Sequence, residues 1–234
     1  IDPDYLAERR QLIDPARALP AKEVVPGDPP ADHAFHRGDH VGIDVPATSH
    51  MTIVDGAGRV VSFTTTVQIA FGSMLMVDGF LLNNELTDFS FRLTDKEGRP
   101  IANRPEPGKR PRSSMSPVIA FDADGRFNFA VGSPGGGSII AYVTKAILGL
   151  VDWDLTMQQA IDLPNMVDRG RGLRLEPALE DLLPALTDMG HEDVRTDEMT
   201  SGLHGIRAIR DEAGNLRYYE GGADPRREGE ARGR

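Results

Sequence analysis

Pro46-Ala47-Thr48-Ser49-His50-Met51-Thr52-Ile53-Val54-Asp55 sets a threonine immediately ahead of an alternating run. From Met51 the pattern has a period of two, with Met51 and Ile53 on one side of an extended chain and Thr52 and Val54 on the other. Asp55-Gly56-Ala57-Gly58 reads as a turn and Val60 to Gln68 as a second strand, so the segment is a hairpin. Its two faces are both apolar or β-branched, the composition of strands buried between layers. A threonine hydroxyl is a poor nucleophile unless a base sits beside it. A cut between Ala47 and Thr48 would create that base, because a free α-amine titrates at about 7.7–8.0. Thr48 would then carry nucleophile and general base in one residue.

Composition bounds what surrounds this hairpin. The 234 residues suffice for one large or two small domains, and at 39% hydrophobic and 26% charged they can build an ordinary core. A net charge of −10 argues against a nucleic-acid or anionic-membrane partner, since both need a basic face. The absence of cysteine removes disulfides, thiolate metal sites and cysteine catalysis. No apolar run approaches the roughly 18 residues of a membrane span.

Before the hairpin, Asp4 to Ile13 suits a short helix, with Tyr5, Leu6, Leu12 and Ile13 on one side and Pro15 after it. The stretch to residue 47 is proline-dense and charged, and reads as an extended linker. His33, His36 and His40 would share a face only if it were helical, which Gly38 and the prolines oppose. Neither a metal nor a cofactor is called for.

After the hairpin, Leu81-Leu82 is a short apolar run, and Val118 to Val131 reads as a second hairpin about Asp122–Gly125. Ser138 to Leu150 is a helix with Ile139, Ile140, Val143, Ile147 and Leu150 as its apolar stripe. Thr156 and Gln159 make a capping box for a helix through Leu163. Pro177 to Met189 reads as another, with Leu179, Leu182, Leu183 and Leu186 inward and Gly190 as its stop. Gly205 to Arg210 and Leu216 to Tyr219 form a last hairpin, and no internal repeat is evident. Strands, helices, then strands point to an α/β (α+β) domain of sheets covered by helices.

The run from Thr48 to Asp55 resembles the start of the small subunit of the γ-glutamyltransferases. Further matches follow in the family's order: Phe71-Gly72-Ser73, Leu81-Leu82-Asn83-Asn84-Glu85 with Asp88-Phe89-Ser90, Lys109-Arg110-Pro111 with Ser113-Ser114-Met115-Ser116-Pro117, and Gly132-Ser133-Pro134-Gly135-Gly136. The resemblance extends to Asp224-Pro225-Arg226. It implies the four-layer α-β-β-α sandwich of N-terminal-nucleophile hydrolases, shared between two subunits cut from one precursor, so that this chain alone would be an incomplete fold completed by a large-subunit segment outside it. Residues 1–47 would then end the large subunit and residues 48–234 would be the small, catalytic one. The opening Ile-Asp-Pro-Asp, without Met, fits an interior start. The resemblance also implies a periplasmic or secreted enzyme; the residues themselves leave the compartment open.

The resemblance implies a role for each motif. Thr48 would attack Ala47 to release itself, then carry the γ-glutamyl group of a compound such as glutathione as an ester, passed on to water or to an amino-acid or peptide acceptor. Thr66 falls where the family has a second threonine bonded to the nucleophile. Gln68 stands where many members carry Asn, and reaches for a substrate carboxylate from a longer stem. Gly135 and Gly136 would form an oxyanion hole, since main-chain N–H groups of a glycine loop can converge on a developing charge. Glu85 and Asp88, three apart, can both reach one ammonium group. Ser113 and Ser114, in a loop made basic by Lys109, Arg110 and Arg112, would hold the α-carboxylate, which the family also binds with an arginine of the large subunit. Two departures stand out. Ser49 replaces a common Thr, and the stretch from Phe91 to Gly108 lacks a tyrosine-bearing lid, which leaves the site open to water and favours hydrolysis. Two alternatives remain open: a glutaryl acylase acting on β-lactam side chains, and an uncut fragment that binds without turnover.

Overall fold

The computed structural model describes residues 2–25, 27 and 47–233. Most of the proline-dense stretch, with His33, His36 and His40, lies outside the described residues. In chain order the strands are β1 (Thr48–Val54), β2 (Val60–Thr66), β3 (Met76–Val77), β4 (Phe80–Leu81), β5 (Val118–Phe121), β6 (Phe127–Gly132), β7 (Met166–Asp168), β8 (Leu173–Leu175), β9 (Arg195–Thr196), β10 (His204–Arg210) and β11 (Leu216–Ala223). The α-helices are α1 (Pro3–Arg10), α2 (Ile139–Val151), α3 (Met157–Asp162) and α4 (Leu183–Asp188).

The chain divides into two compact units. The larger holds the hairpin, Asn103–Leu163 and the residues from Met199 onward. Its main sheet runs β11-β10-β6-β5, all antiparallel. One face of that sheet carries α2 and α3, and the β1–β2 hairpin packs on the rest of it. Phe129, Ala130 and Val131 of β6 lie buried with Ile139, Tyr142, Val143, Ala146 and Leu150 of α2. Each fully buried branched or aromatic side chain there contributes about 1.5–3 kcal/mol. The expected helix stripe is shifted: Ile140 is 56% exposed, and Tyr142 and Ala146 take the inward places. The capping box of α3 forms as expected, Gln159 N–H bonding Thr156 Oγ1 and Thr156 N–H bonding Gln159 Oε1.

One turn recipe closes all three long hairpins of this unit. In Asp55–Arg59, Asp122–Arg126 and Asp211–Asn215 the first aspartate accepts the N–H four residues on, at 2.8–2.9 Å, and a glycine at the fourth place takes φ of 76–82°. That left-handed conformation disfavours any residue with a side chain. The same five-residue turn also appears at Asp95–Arg99 in the other unit.

The layer order is helices, four-stranded sheet, two-stranded sheet. On β1 and β2, Thr48, His50 and Thr52 turn inward, while Met51, Ile53, Val61 and Phe63 are 44–50% exposed. Among the described residues no fourth layer lies over the outer face, in keeping with a sandwich expected to be completed by another segment of the precursor.

The second unit contains Thr94–Ala102, Pro164–Glu198 and the N-terminal residues. Here β7, β8 and β9 form a three-stranded sheet, and the buried Glu176 carboxylate accepts two hydrogen bonds, from the main-chain and side-chain nitrogens of Asn165 (3.0 and 2.9 Å). The helix α1 is capped by Asp2 and stops at Arg10, so Leu12 and Ile13 stand exposed in the turn beyond it. The helix expected over Pro177–Met189 is broken. A 3-10 turn spans Pro177–Leu182, α4 follows, and Leu182 is exposed. Pro184 explains the break, because it has no N–H to give the Glu180 carbonyl. Gly190 does end the segment, at φ 91°.

Candidate active site

Thr48 opens β1 and Thr66 closes β2, and the ladder pairs them directly. The hairpin register thus sets two hydroxyl side chains at one end of the sheet. Thr48 is 9% exposed. Thr66 Oγ1 donates to the Ala47 carbonyl at 3.0 Å and accepts the Gln68 N–H at 2.9 Å. With Ala47 still joined to Thr48, this hydroxyl engages the carbonyl ahead of the candidate nucleophile, where the sequence suggests a bond to the nucleophile itself.

A cavity of about 50 Å³ beside Thr48 is lined by Thr66, Gln68, Glu85, Asp88, Arg112, Ser113, Ser114, Met115, Gly136 and Ile139. The structure therefore brings together eight of the nine residues singled out from sequence; only Gly135 stands off the lining. Gly135 and Gly136 have φ of 136° and 58°, and a Cβ on Gly135 would lie 2.5 Å from the Tyr142 ring. Glycine is required there by both conformation and space.

One wall is acidic. A 3-10 turn carries Glu85 and Asp88, with Asn83 Oδ1 accepting the Glu85 N–H at 2.9 Å. Burial, then the Asp88 carboxylate beside it, pushes Glu85 above the usual carboxylate range. Glu85 Oε2 is buried and has no hydrogen-bond partner among the described residues. The Gln68 amide donates to Asp88 Oδ1 at 2.5 Å, toward the acidic wall. Its backbone lies in the left-handed region, with φ of 78°. Such a conformation costs about 1–3 kcal/mol and persists where surrounding bonds fix it.

The facing wall carries Arg112, Ser113 and Ser114. Ser113 Oγ accepts the Met115 N–H at 3.2 Å, which leaves its own proton available to a ligand. Asn103, which sequence reasoning passed over, lies between the walls. Its Nδ2 donates to the Asp88 carbonyl (2.5 Å) and its Oδ1 accepts the Arg112 N–H (2.9 Å).

Two further supports escaped the sequence. His50 sits under the hairpin between Thr64 Oγ1 (2.8 Å) and Thr52 Oγ1 (3.1 Å). Burial, and then nearby His204, lowers its pKa to about 4, so it is neutral at pH 7. Its ring passes so close to Gly132 that a Cβ there would lie 2.3 Å away. Behind the glycine loop, Asp224 Oδ2 accepts from Ser201 Oγ (2.6 Å) and Leu203 N–H (3.1 Å), and Gly202 N–H reaches Ser133 Oγ (3.1 Å). Burial opposes the charge on Asp224, yet these donors and Arg226 hold it below the usual range. Among the described residues, no three His, Asp or Glu side chains converge to hold a metal ion.

Layered sheets, a threonine at a strand end and a glycine loop before a helix make this an α+β fold of the N-terminal-nucleophile hydrolase class. The chain belongs to the gamma-glutamyltranspeptidase family, whose model matches residues 1–234. A glutathione hydrolase proenzyme of Pseudomonas sp. (strain A14) is 38% identical over 174 residues, which is 70% of this chain and 27% of that protein. An acylase ACY 1 proenzyme of Pseudomonas sp. (strain SE83) is 32% identical over 88% of this chain and 34% of its own length. The chain thus spans about a third or less of these curated relatives. Among solved structures, the T380A mutant of Helicobacter pylori gamma-glutamyltranspeptidase superposes with a TM-score of 0.66 at 32% identity, covering 76% of this chain and 99% of that one. No described helix is long and apolar enough to cross a membrane.

Proposed function

We propose that the protein hydrolyses or transfers γ-glutamyl groups through an ester on Thr48, after self-cleavage at Ala47–Thr48. Residues 48–234 are then the catalytic subunit, and the preceding residues belong to a larger partner cut from the same precursor. In the cleavage, Thr48 Oγ adds to the Ala47 carbonyl and the Ala47–Thr48 C–N bond breaks. This leaves Ala47 as an ester on Oγ and frees the amine; water then releases the Ala47 carboxylate. The Thr66 hydroxyl on the Ala47 carbonyl supports this step, since it donates to the oxygen on which negative charge develops. In turnover the freed amine takes the Thr48 hydroxyl proton, Oγ attacks the γ-amide, and the proton passes to the leaving amine. Water or an acceptor amine resolves the ester. Gly136, with Gly135 behind it, faces the charge formed at each addition.

The observation that carries this reading is the composition of the cavity beside Thr48: Glu85 and Asp88 line one side, and Arg112, Ser113 and Ser114 another. That distribution fits the ammonium and carboxylate of an α-amino acid, held while the γ-carbon meets Thr48. A second reading, an acylase for glutaryl amides, gains support from the ACY 1 relative. Glu85 and Asp88 speak against it, because a glutaryl group brings no ammonium to offset them. The test is turnover of L-γ-glutamyl and glutaryl p-nitroanilides by the full-length protein. Preference for the γ-glutamyl substrate by tenfold or more supports the first reading; preference for glutaryl establishes the second.

A further inference from the structure

The acidic and basic walls lie on different loops, yet one side chain ties them. Asn103 bonds the Asp88 carbonyl through Nδ2 at 2.5 Å and the Arg112 N–H through Oδ1 at 2.9 Å. Its own carbonyl accepts the Ser90 N–H at 2.8 Å, which anchors it to the acidic loop a second time. Asn103 is half-buried, and its three bonds all go to main-chain groups. Such bonds fix where the loops run rather than what their side chains are. Asp88 and Arg112 both line the cavity beside Thr48. The distance between the carboxylates and the basic wall is therefore set by the length of one amide.

We infer that Asn103 is the positioning residue that sets the span between the two charged walls, and through it selects substrates that engage both at once. The inference rests on the proposed reading of the cavity as an amino-acid head-group site. A ligand with both charges gains from both walls only when they stand at its own ammonium–carboxylate spacing. A ligand with one charge touches one wall and is indifferent to the spacing. Loss of the amide should then penalise only the doubly charged substrate, whereas general loosening of the fold would penalise all substrates alike. An aspartate at 103 keeps the acceptor for Arg112 but gives up the donor to Asp88, so it severs one tie without emptying the space.

The test compares wild type, Asn103→Ala and Asn103→Asp, as full-length protein, on three p-nitroanilides: L-γ-glutamyl with both charges, 4-aminobutyryl with the ammonium only, and glutaryl with the carboxylate only. Both variants should raise KM for the γ-glutamyl substrate by about tenfold or more with kcat within about threefold, a charge-assisted contact being misaligned rather than removed. KM for the single-charge substrates should stay within about twofold. Equal KM changes on all three, or none on the γ-glutamyl substrate, overturns the inference. If Asn103→Ala fails to fold, Asn103→Asp alone decides by the same criterion. If wild type turns over no γ-glutamyl anilide, the proposed function fails, and calorimetry with L-glutamate, 4-aminobutyrate and glutarate decides this inference separately. Selective weakening of L-glutamate upholds it; uniform or absent weakening overturns it.

Discussion

Thr48 and Glu85 each make a separate demand on experiment. Thr48→Ala should abolish both chain cleavage and turnover, the latter by about 10⁴-fold or more, because one hydroxyl serves both steps. Retained cleavage in that variant, seen on a denaturing gel, would show another nucleophile. Glu85 is tested through pH. Its pKa is raised, so its stabilising contribution belongs to the protonated form, present below the ordinary carboxylate pKa and lost as pH rises through the raised one. Glu85→Gln should therefore raise Tm at pH 7 by up to a few degrees, while raising KM for the γ-glutamyl substrate about 10- to 100-fold. In wild type KM should climb as pH falls and Glu85 takes up its proton; a KM flat through that range removes Glu85 from the ammonium subsite. Most of these side chains were legible in sequence because their motifs are short and local. The Gln68–Asp88 bond was not legible, because nothing in Val67-Gln68-Ile69 announces a left-handed residue. Asn103 was missed because a side chain bonding the backbone of two other loops leaves no spacing to read.

At the scale of elements, the hairpin that carries Thr48 stands on a buried neutral histidine. His50 has a pKa of about 4, against the ordinary 6.5 that it regains on unfolding. The unfolded chain thus binds the proton that the folded chain refuses, and the stability His50 supports is whole above about 6.5 and declines as pH falls toward 4. Urea unfolding at pH 7 and pH 4.5 should show that decline, and His50→Gln should flatten it. An unchanged slope in the variant would assign the acid sensitivity elsewhere. Thr156→Ala should cost about 1 kcal/mol by removing one half of the α3 capping box. Hairpins and capped helices were readable because alternation, turn residues and caps act over a few positions. The segment from Pro177 to Met189 was not, since its leucine spacing outweighed the single Pro184 that splits it. The helix stripe slipped because Ala146 and Tyr142 fill the close contact that Ile140 was expected to make.

For the whole molecule, the described chain supplies three layers of a sandwich and leaves the outer face of β1–β2 exposed through Met51, Ile53, Val61 and Phe63. Apolar side chains between 71 and 91, among them Phe71, Met74, Phe80 and Phe91, are also exposed. Apolar surface on this scale marks an interaction site. Expressed by itself, the chain should bind an apolar-surface dye, and Phe63→Lys with Met51→Lys should reduce that binding severalfold without loss of β-sheet signal in circular dichroism. Equal dye binding would mean that the face is already covered. Alternation in the sequence reports that this face is apolar but not which polypeptide buries it, so the missing layer is assigned to the rest of the precursor by resemblance alone.

The proposed function turns on Thr48 becoming a free N-terminal nucleophile. Its most direct test is the intact mass of the full-length protein after purification under denaturing conditions, followed by N-terminal sequencing of each species. A fragment beginning Thr48-Ser49-His50-Met51 is expected together with a second polypeptide ending at Ala47, and no such fragment from Thr48→Ala. A γ-glutamyl-active protein in which Ala47 and Thr48 remain joined would contradict it.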